Sequence, residues 1–176
     1  MVPVTNSVME IREAKLPEDV DLVRTLWTDY LTWGNDTMQR LYGVHPHDPK
    51  EAVEQDLAMI GKFLPPNGRL MLAFIDNQGC GIGCLKGISN EIGEIKRMYV
   101  APSHRKVGAG RAILRSLLEA ANAAGYKKVR LDSPKFMEAA HALYRSFGFK
   151  DIPVYAEVEI PEPFRQYLLF MELDLA

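Results

Sequence analysis

A short loop between two regular segments carries the residue types that bind phosphate. Arg105-x-x-Gly108-x-Gly110 follows an apolar run and directly precedes a helical run, with Lys106 and Arg111 beside it. Small residues let a backbone approach a ligand closely. The first N–H groups of a helix have no partners within the helix, and the helix dipole favours an anion there. The spacing therefore predicts a phosphate-binding loop.

The spacing of the glycines separates this loop from two other phosphate motifs. It is not Gly-x-Gly-x-x-Gly, and no Gly-Lys-Ser/Thr follows it. An alternative is that Gly108 and Gly110 serve only a strand-to-helix turn. The flanking arginines and a second motif downstream, Ala142-Leu-Tyr-Arg-Ser-Phe-Gly-Phe149, favour a binding loop instead.

Alternation, helical spacing and turn residues predict the elements that position this loop. The predicted order is β-α-α-β-β-β-α-β-α-β-β, a mixed α/β sheet. Strands are expected at 9–13, 70–75, 80–87, 94–100, 128–132, 154–158 and 167–173, and helices from about 17 to a break at 34–36, then at 49–63, 111–124 and 136–147.

Length and composition limit the classes of protein. The 176 residues, 47% hydrophobic and 25% charged, predict one folded domain over 1–176, with residues 1–7 as a flexible tail. A net charge of −2 argues against a nucleic-acid-binding protein. We also expect no membrane span and no signal peptide. Cys80 and Cys84 are too far apart along one predicted strand to form a disulfide, so we expect the reducing environment of the cytoplasm.

The two motifs together resemble the Gcn5-related N-acetyltransferase (GNAT) superfamily. Its phosphate loop, Arg/Gln-x-x-Gly-x-Gly/Ala, is matched by 105–110, and Lys96-Arg-Met-Tyr-Val-Ala-Pro102 resembles its fourth strand. The segment 142–149 resembles the helix end that follows its fifth strand. The resemblance implies a GNAT fold: a mixed central sheet of about seven strands, splayed at the fourth and fifth and flanked by four helices.

The resemblance also implies acetyl-CoA as cosubstrate, with no metal. The cofactor would lie in the gap between the splayed strands, and a strand N–H, by analogy that of Met98, would polarise the acyl carbonyl. The residues implied in cofactor binding are Met98, Tyr99 and Val100 on the strand, and Arg105, Lys106, Val107, Gly108, Ala109, Gly110 and Arg111 in the loop.

Two residues match positions that the family uses in catalysis. Tyr144 would be the general acid for the leaving thiolate, and Glu94 the general base for the amine. Alternatively, Tyr144 is a core residue whose hydroxyl bonds to the backbone. Glu94 could instead be a solvent-facing carboxylate, and a chain of water molecules would then act as the base.

Several neighbouring residues are assigned less specific roles. Lys96 and Arg97 alternate along a strand, so at most one is expected to face the ligand. His104 would contact phosphate or only water, and His141 would line the cleft or serve the structure. Many family members have an Asn after the fifth strand, where this chain has Ser133, so that contact is not carried over. His45 and His47 have no metal-site pattern, and Cys84 is expected as a buried packing residue.

The acceptor region is expected at 33–49 and 156–167, which hold aromatic and acidic residues. We expect the primary amine of a small molecule as acceptor, and a homodimer is compatible with the family. The alternatives are a protein amine as acceptor, and a module that binds acyl-CoA without turnover.

Overall fold

Seven strands form one mixed sheet in the order β1-β2-β3-β4-β5-β7-β6. The computed structural model describes residues 7–176, so all of the predicted tail except Ser7 lies outside the described residues. The only parallel pair among the described strands is β4 with β5, and the others are antiparallel. The strands are β1 Met9–Glu13, β2 Arg69–Ile75, β3 Gln78–Gly87, β4 Ile92–Val100, β5 Lys128–Pro134, β6 Lys150–Ile152 and β7 Leu168–Asp174.

Helices cover the sheet on both faces. One core cluster packs α3 and α4 on the sheet, and the other packs α1 and α2 on the opposite face. Such layers form because each helix buries one apolar stripe. The helices are α1 Val20–Tyr42, α2 Pro49–Ala58, α3 Ala109–Ala123, α4 Glu138–Ser146 and the short α5 Glu162–Arg165, with 3₁₀ turns at Ile60–Phe63 and Pro102–His104. The predicted mixed α/β sheet of about seven strands is confirmed.

The helix break predicted at 34–36 is wrong, because α1 continues to Tyr42. A glycine inside a helix costs about 1 kcal/mol relative to alanine. Burial of Leu31 and Met38 on the two sides of Gly34 offsets this cost. The helix ends instead at Gly43, which adopts φ +69 and donates its N–H to Gln39 O.

The prediction of a strand at 154–158 is also wrong. The strand lies earlier, at β6, where Lys150, Asp151 and Ile152 pair with β7. Residues 153–161 form a connection, and Tyr155 and Val158 pack from it with Leu168 and Phe170 in a third core cluster. The apolar residues that suggested a strand are therefore buried from a loop. The short helix α5, which follows this connection and precedes β7, was not predicted.

No helix within residues 7–176 combines the length and the apolar composition needed to cross a bilayer.

Candidate active site

The strands β4 and β5 separate halfway along their length. Their parallel pairing runs only from Ile92 opposite Lys128 to Ile95 opposite Leu131. Beyond Ile95, β4 stays paired with β3, whereas β5 stays paired with β7 as far as Pro134. A gap therefore opens between the two strands at Lys96 and Asp132.

A β-bulge in β4 lies at the start of this gap. Tyr99 pairs with Ile82 and Lys96 with Cys84, so Arg97 and Met98 together face the single residue Gly83. Arg97 has φ +56, which is left-handed backbone of the kind found in some β-bulges. The extra residue breaks the alternation of side chains, and both Lys96 and Arg97 line the cavity in the gap. The expectation that at most one of them faces the ligand region is wrong for this reason.

A cleft of about 500 Å³ runs from the gap along the N-terminus of α3. Every residue predicted to bind the cofactor lines it except Val107, whose side chain is 56% exposed to solvent outside it. The cleft walls combine the outer end of β4, the loop before α3 and one side of α4. The predicted residues that line it are Met98, Tyr99, Val100, Arg105, Lys106, Gly108, Ala109, Gly110 and Arg111.

The loop before α3 reaches this position through left-handed backbone. Gly108 is the N-cap of α3 with φ +93, and Lys106 has φ +66. The Arg105 guanidinium lies over the Trp33 ring at 5.1 Å and donates through Nε to Val100 O at 2.9 Å. These contacts hold the loop against β4 and leave the first N–H groups of α3 at the cleft, where an anion is favoured.

A small cavity of about 20 Å³ lies in the gap itself, beside the cleft. This is about the space of one water-sized probe. Met98, Met137 and Tyr144 line both spaces and therefore connect them. The remaining lining residues of the small cavity are Tyr30, Ile95, Lys96, Arg97, Leu131, Asp132 and Ser133.

Tyr144 is placed by α4 where the cleft meets the small cavity. Its side chain is only 5% exposed and packs on Phe149 with ring centroids 5.8 Å apart. Burial, and after it the nearby Tyr30 and Asp132, raise the pKa of Tyr144, so the hydroxyl is protonated at neutral pH. It is both a core residue and a lining residue of the gap.

Glu94 is fully buried, so the alternative of a solvent-facing carboxylate is wrong. Tyr155 donates its hydroxyl to Glu94 Oε2 at 2.6 Å, which closes this side of the sheet. Lys96 Nζ lies 3.3 Å and Lys86 Nζ 3.6 Å from Oε1. Glu94 lines neither the cleft nor the small cavity, and Lys96 stands between its carboxylate and the gap.

Asp132 is the site residue that the sequence reasoning missed. It comes at the first position of β5 beyond the parallel pairing, and its Oδ2 accepts a hydrogen bond from Lys96 Nζ at 2.6 Å. Burial by itself would lower the pKa of Lys96, but Asp132 and Glu94 outweigh this and raise it. The available signal was an acidic residue at the end of the fifth strand, next to the position of the expected Asn.

His141 has a structural contact and does not line the cleft. Its Nε2 lies 3.0 Å from Ser133 Oγ, and both side chains are buried. Burial lowers the pKa of His141. Ser133 lines the small cavity, so this histidine fixes the hydroxyl there. His104 lines the cleft and contacts Ser103 Oγ through Nδ1 at 2.8 Å.

The expected acceptor segments meet on the face opposite α3. Tyr42, at the end of α1, stacks on Tyr167 with centroids 4.5 Å apart. Trp33 meets Phe136 edge to face at 5.7 Å beside the cleft. Three acidic side chains of these segments are already bonded within the protein. Asp48 caps α2 by accepting a hydrogen bond from Glu51 N, Glu157 pairs with Arg130, and Glu159 bonds to Lys86.

No group of three or more His, Cys, Asp and Glu side chains is arranged to hold a metal ion within residues 7–176.

Comparisons with known proteins place this geometry in a family. The sequence model of the acetyltransferase (GNAT) family matches residues 22–149. An uncharacterised N-acetyltransferase of Schizosaccharomyces pombe is 30% identical over 178 residues, which cover 97% of each chain. An acetyltransferase of Streptococcus agalactiae has the same fold, with a TM-score of 0.73 at 20% identity over 95% of this chain and 98% of the other.

A second solved structure, an acetyltransferase of Salmonella typhimurium with its cofactor acetyl-CoA, has a TM-score of 0.66 at 18% identity, covering 96% of this chain and 94% of the other. The fold and the sequence match thus define an acyltransferase enzyme. The chain belongs to the GNAT family of N-acetyltransferases.

Proposed function

We propose that this enzyme transfers an acetyl group from acetyl-CoA to the primary amine of a small molecule. The observation that carries the proposal is a pair of adjoining spaces that share the wall residues Met98, Met137 and Tyr144. A cleft with an anion-favouring helix N-terminus on its wall meets, at Tyr144, a small cavity between β4 and β5. Such a cleft suits an extended phosphate-bearing ligand whose reactive end lies in the gap.

The residues around the cleft fit acetyl-CoA. The loop 105–111 would hold its phosphates with backbone N–H groups, and Arg105, Lys106 and Arg111 supply positive charge. Met98, Tyr99 and Val100 expose strand backbone toward the gap, which suits pairing with an extended arm. When bound, acetyl-CoA supplies a thioester as the acyl donor.

Two groups of the chain would act on the acyl transfer itself. The N–H of Met98, on the bulge of β4, would donate to the acyl oxygen as negative charge develops there, a contribution of about 3–4 kcal/mol for one such donor. The Tyr144 hydroxyl, which like that of any tyrosine is protonated at neutral pH, would donate a proton to the departing sulfur. Both residues line the gap and the cleft.

Glu94 enters the proposal as a positioning residue. Its carboxylate lies 3.3 Å from Lys96 Nζ and lines neither space, so it would position the Lys96 ammonium group and would not contact the amine. A small acceptor is supported by the Tyr42–Tyr167 stack, which links the end of α1 to the segment before β7 on the proposed acceptor face.

The free buried cysteines Cys80 and Cys84 are compatible with a reducing cytoplasm.

Thermal stability tests the cofactor first. Saturating acetyl-CoA at 100 times its Kd should add about 2.7 kcal/mol of stability, a rise in Tm of roughly 5–10 °C, with NAD and ATP as controls. Thiol release with a panel of small primary amines, and with lysine-containing peptides for comparison, then tests the acceptor. A binding-only module would give the thermal shift without turnover, and peptide-only turnover would replace the small-molecule acceptor with a protein amine.

A further inference from the structure

We propose that Asp132 is the catalytic carboxylate of this enzyme, which binds the ammonium form of the acceptor in the gap and, after that ion has lost one proton to solvent, takes the second proton from its nitrogen as the amide forms. This inference rests on the proposed function, because it concerns the amine that attacks the acyl group. It replaces direct proton transfer to Glu94 with transfer to a residue on the neighbouring strand.

The lining of the small cavity leaves one group for this role. Its polar side chains within the described chain are Tyr30, Lys96, Arg97, Asp132, Ser133 and Tyr144. Lys96 and Arg97 are cations, and the two tyrosines are neutral at pH 7, since the ordinary tyrosine pKa is about 10 and burial raises it further. The Ser133 hydroxyl is engaged with His141. Asp132 is the one anionic side chain among these lining residues, so it supplies the charge–charge attraction for an alkylammonium ion.

The contacts of Asp132 hold it in place and leave it open to the gap. Lys96 Nζ donates to Oδ2 at 2.6 Å, and within residues 7–176 no second hydrogen bond reaches the carboxylate. The side chain is 10% exposed, whereas that of Glu94 is 0% exposed. The small cavity has about the space of one water, so it would take only the amino group of a small amine, with the carbon chain lying outside it.

The neighbouring charges hold the Asp132 carboxylate in position at the gap. Arg97 is taken up by Asp56, with Nη2 at 2.7 Å from Oδ2. Lys96 lies between Asp132 and Glu94, and Glu94 in turn is fixed by Tyr155 and Lys86. The chain of contacts from Tyr155 through Glu94 and Lys96 thus ends on the carboxylate that the amine would meet.

The proton and electron balance of the step is simple. The ammonium ion bound at Asp132 gives one proton to solvent and becomes the neutral nucleophile. Its nitrogen forms a bond to the acyl carbon as the carbon–sulfur bond breaks, and its second proton passes to the Asp132 carboxylate. Tyr144 protonates the sulfur, and solvent restores both side chains to their starting state.

Chemical rescue gives a test that a structural role would not pass. Asp132→Ala removes the carboxylate and leaves room for formate, whereas Glu94→Ala is the matched control at a sealed position. With acetyl-CoA and n-propylamine as the acceptor probe, we expect Asp132→Ala to lower turnover by about 100-fold or more. Formate should raise the turnover of Asp132→Ala by at least about tenfold, and it should not raise the turnover of Glu94→Ala. Asp132→Asn, which keeps the size of the side chain, serves if the alanine variant does not fold.

A binding measurement separates this inference from the proposed function. Calorimetry should give each folded variant an acetyl-CoA affinity within about twofold of the parent chain, because Asp132 does not line the cleft. In the CoA-bound parent, propylammonium near its Kd should raise the Tm by about 1 °C more than tetramethylammonium, and Asp132→Ala should lose the difference. Retention of turnover or of that difference in the Asp132 variants would overturn the inference, whereas loss of acetyl-CoA binding by the parent would overturn the proposed function.

Discussion

The hydroxyl of Tyr155 donates a 2.6 Å hydrogen bond to Oε2 of Glu94, which joins the connection between β6 and β7 to the middle of β4. Tyr155 also lies under Arg130, whose guanidinium carbon is 5.0 Å from its ring centroid. The bond lies over the Glu94 carboxylate, whose side chain is fully buried. The surroundings of the Glu94 carboxylate therefore depend on a residue 61 positions away in the chain.

Tyr155→Phe should destabilise the protein without weakening acetyl-CoA binding. The ring contacts are retained, but a buried carboxylate oxygen loses its partner, which costs about 1–3 kcal/mol. For a domain of this size the Tm should fall by roughly 3–10 °C. Tyr167→Phe is the matched control, because Tyr167 stacks on Tyr42 through its ring. Equal Tm values for the two variants would contradict the role given to the Tyr155 hydroxyl.

Tyr144→Phe should lower turnover and leave acetyl-CoA affinity nearly unchanged. The ring packs on Phe149 in both forms, so only the proton donor is lost, and a positioned acid contributes about 10²–10⁴-fold. Thiol release gives kcat, and calorimetry gives the affinity. Tyr126→Phe is the control, since its hydroxyl bonds to Asn67 O outside the cleft. Turnover by Tyr144→Phe equal to that of the control would rule out the general-acid role.

The sheet and the loop before α3 were predictable because their signals are local. Alternation and turn residues mark β2, β3 and β4, and Gly108 and Gly110 mark the start of α3 within a few residues. The continuation of α1 through Gly34 was not predictable in this way, because it depends on tertiary burial of Leu31 and Met38.

The environment of the site carboxylates depends on contacts distant in sequence. Glu94 is sealed by Tyr155, and Asp132 is held by a lysine 36 residues away. A bulge at Arg97 further moves Lys96 and Arg97 onto the same cavity, and a single inserted residue leaves no clear mark in a strand pattern. The sequence thus indicated which residue types belong to the site, but not which carboxylate reaches it.

Gly108→Glu should weaken acetyl-CoA binding well beyond its effect on stability. Gly108 has φ +93 at the N-terminus of α3, so a side chain there is strained and adds negative charge where phosphates would bind. Gly125→Glu is a matched control, because Gly125 has φ +84, equally open space and a position just past the other end of α3. We expect similar losses of Tm but at least tenfold weaker acetyl-CoA binding for Gly108→Glu alone, measured by calorimetry. Equal affinities in the two variants would contradict a phosphate-binding loop.

Asp19→Asn should destabilise the fold at neutral pH and lose that effect in acid. Arg12 donates to both oxygens of Asp19, at 2.6 and 3.0 Å, and the Lys15 N–H donates a third hydrogen bond. The bonds from Arg12 have the largest effect on the pKa of Asp19 and lower it. The Lys15 N–H also lowers this pKa, whereas burial opposes both. A carboxyl whose pKa is lower in the folded than in the unfolded state adds stability above its unfolded pKa of about 3.9, and this stability is lost as the pH falls through the folded value.

We therefore expect Asp19→Asn to lower the free energy of unfolding by about 1–2 kcal/mol at pH 7, with the difference from the parent narrowing below about pH 4. Denaturant unfolding across this pH range measures it. Asp21→Asn is the control, because the Asp21 carboxylate is 93% exposed in its pair with Arg24 and should change stability by less than about 0.5 kcal/mol. A loss for Asp19→Asn that stays constant down to pH 2 would show that its contribution is not the ion pair with Arg12.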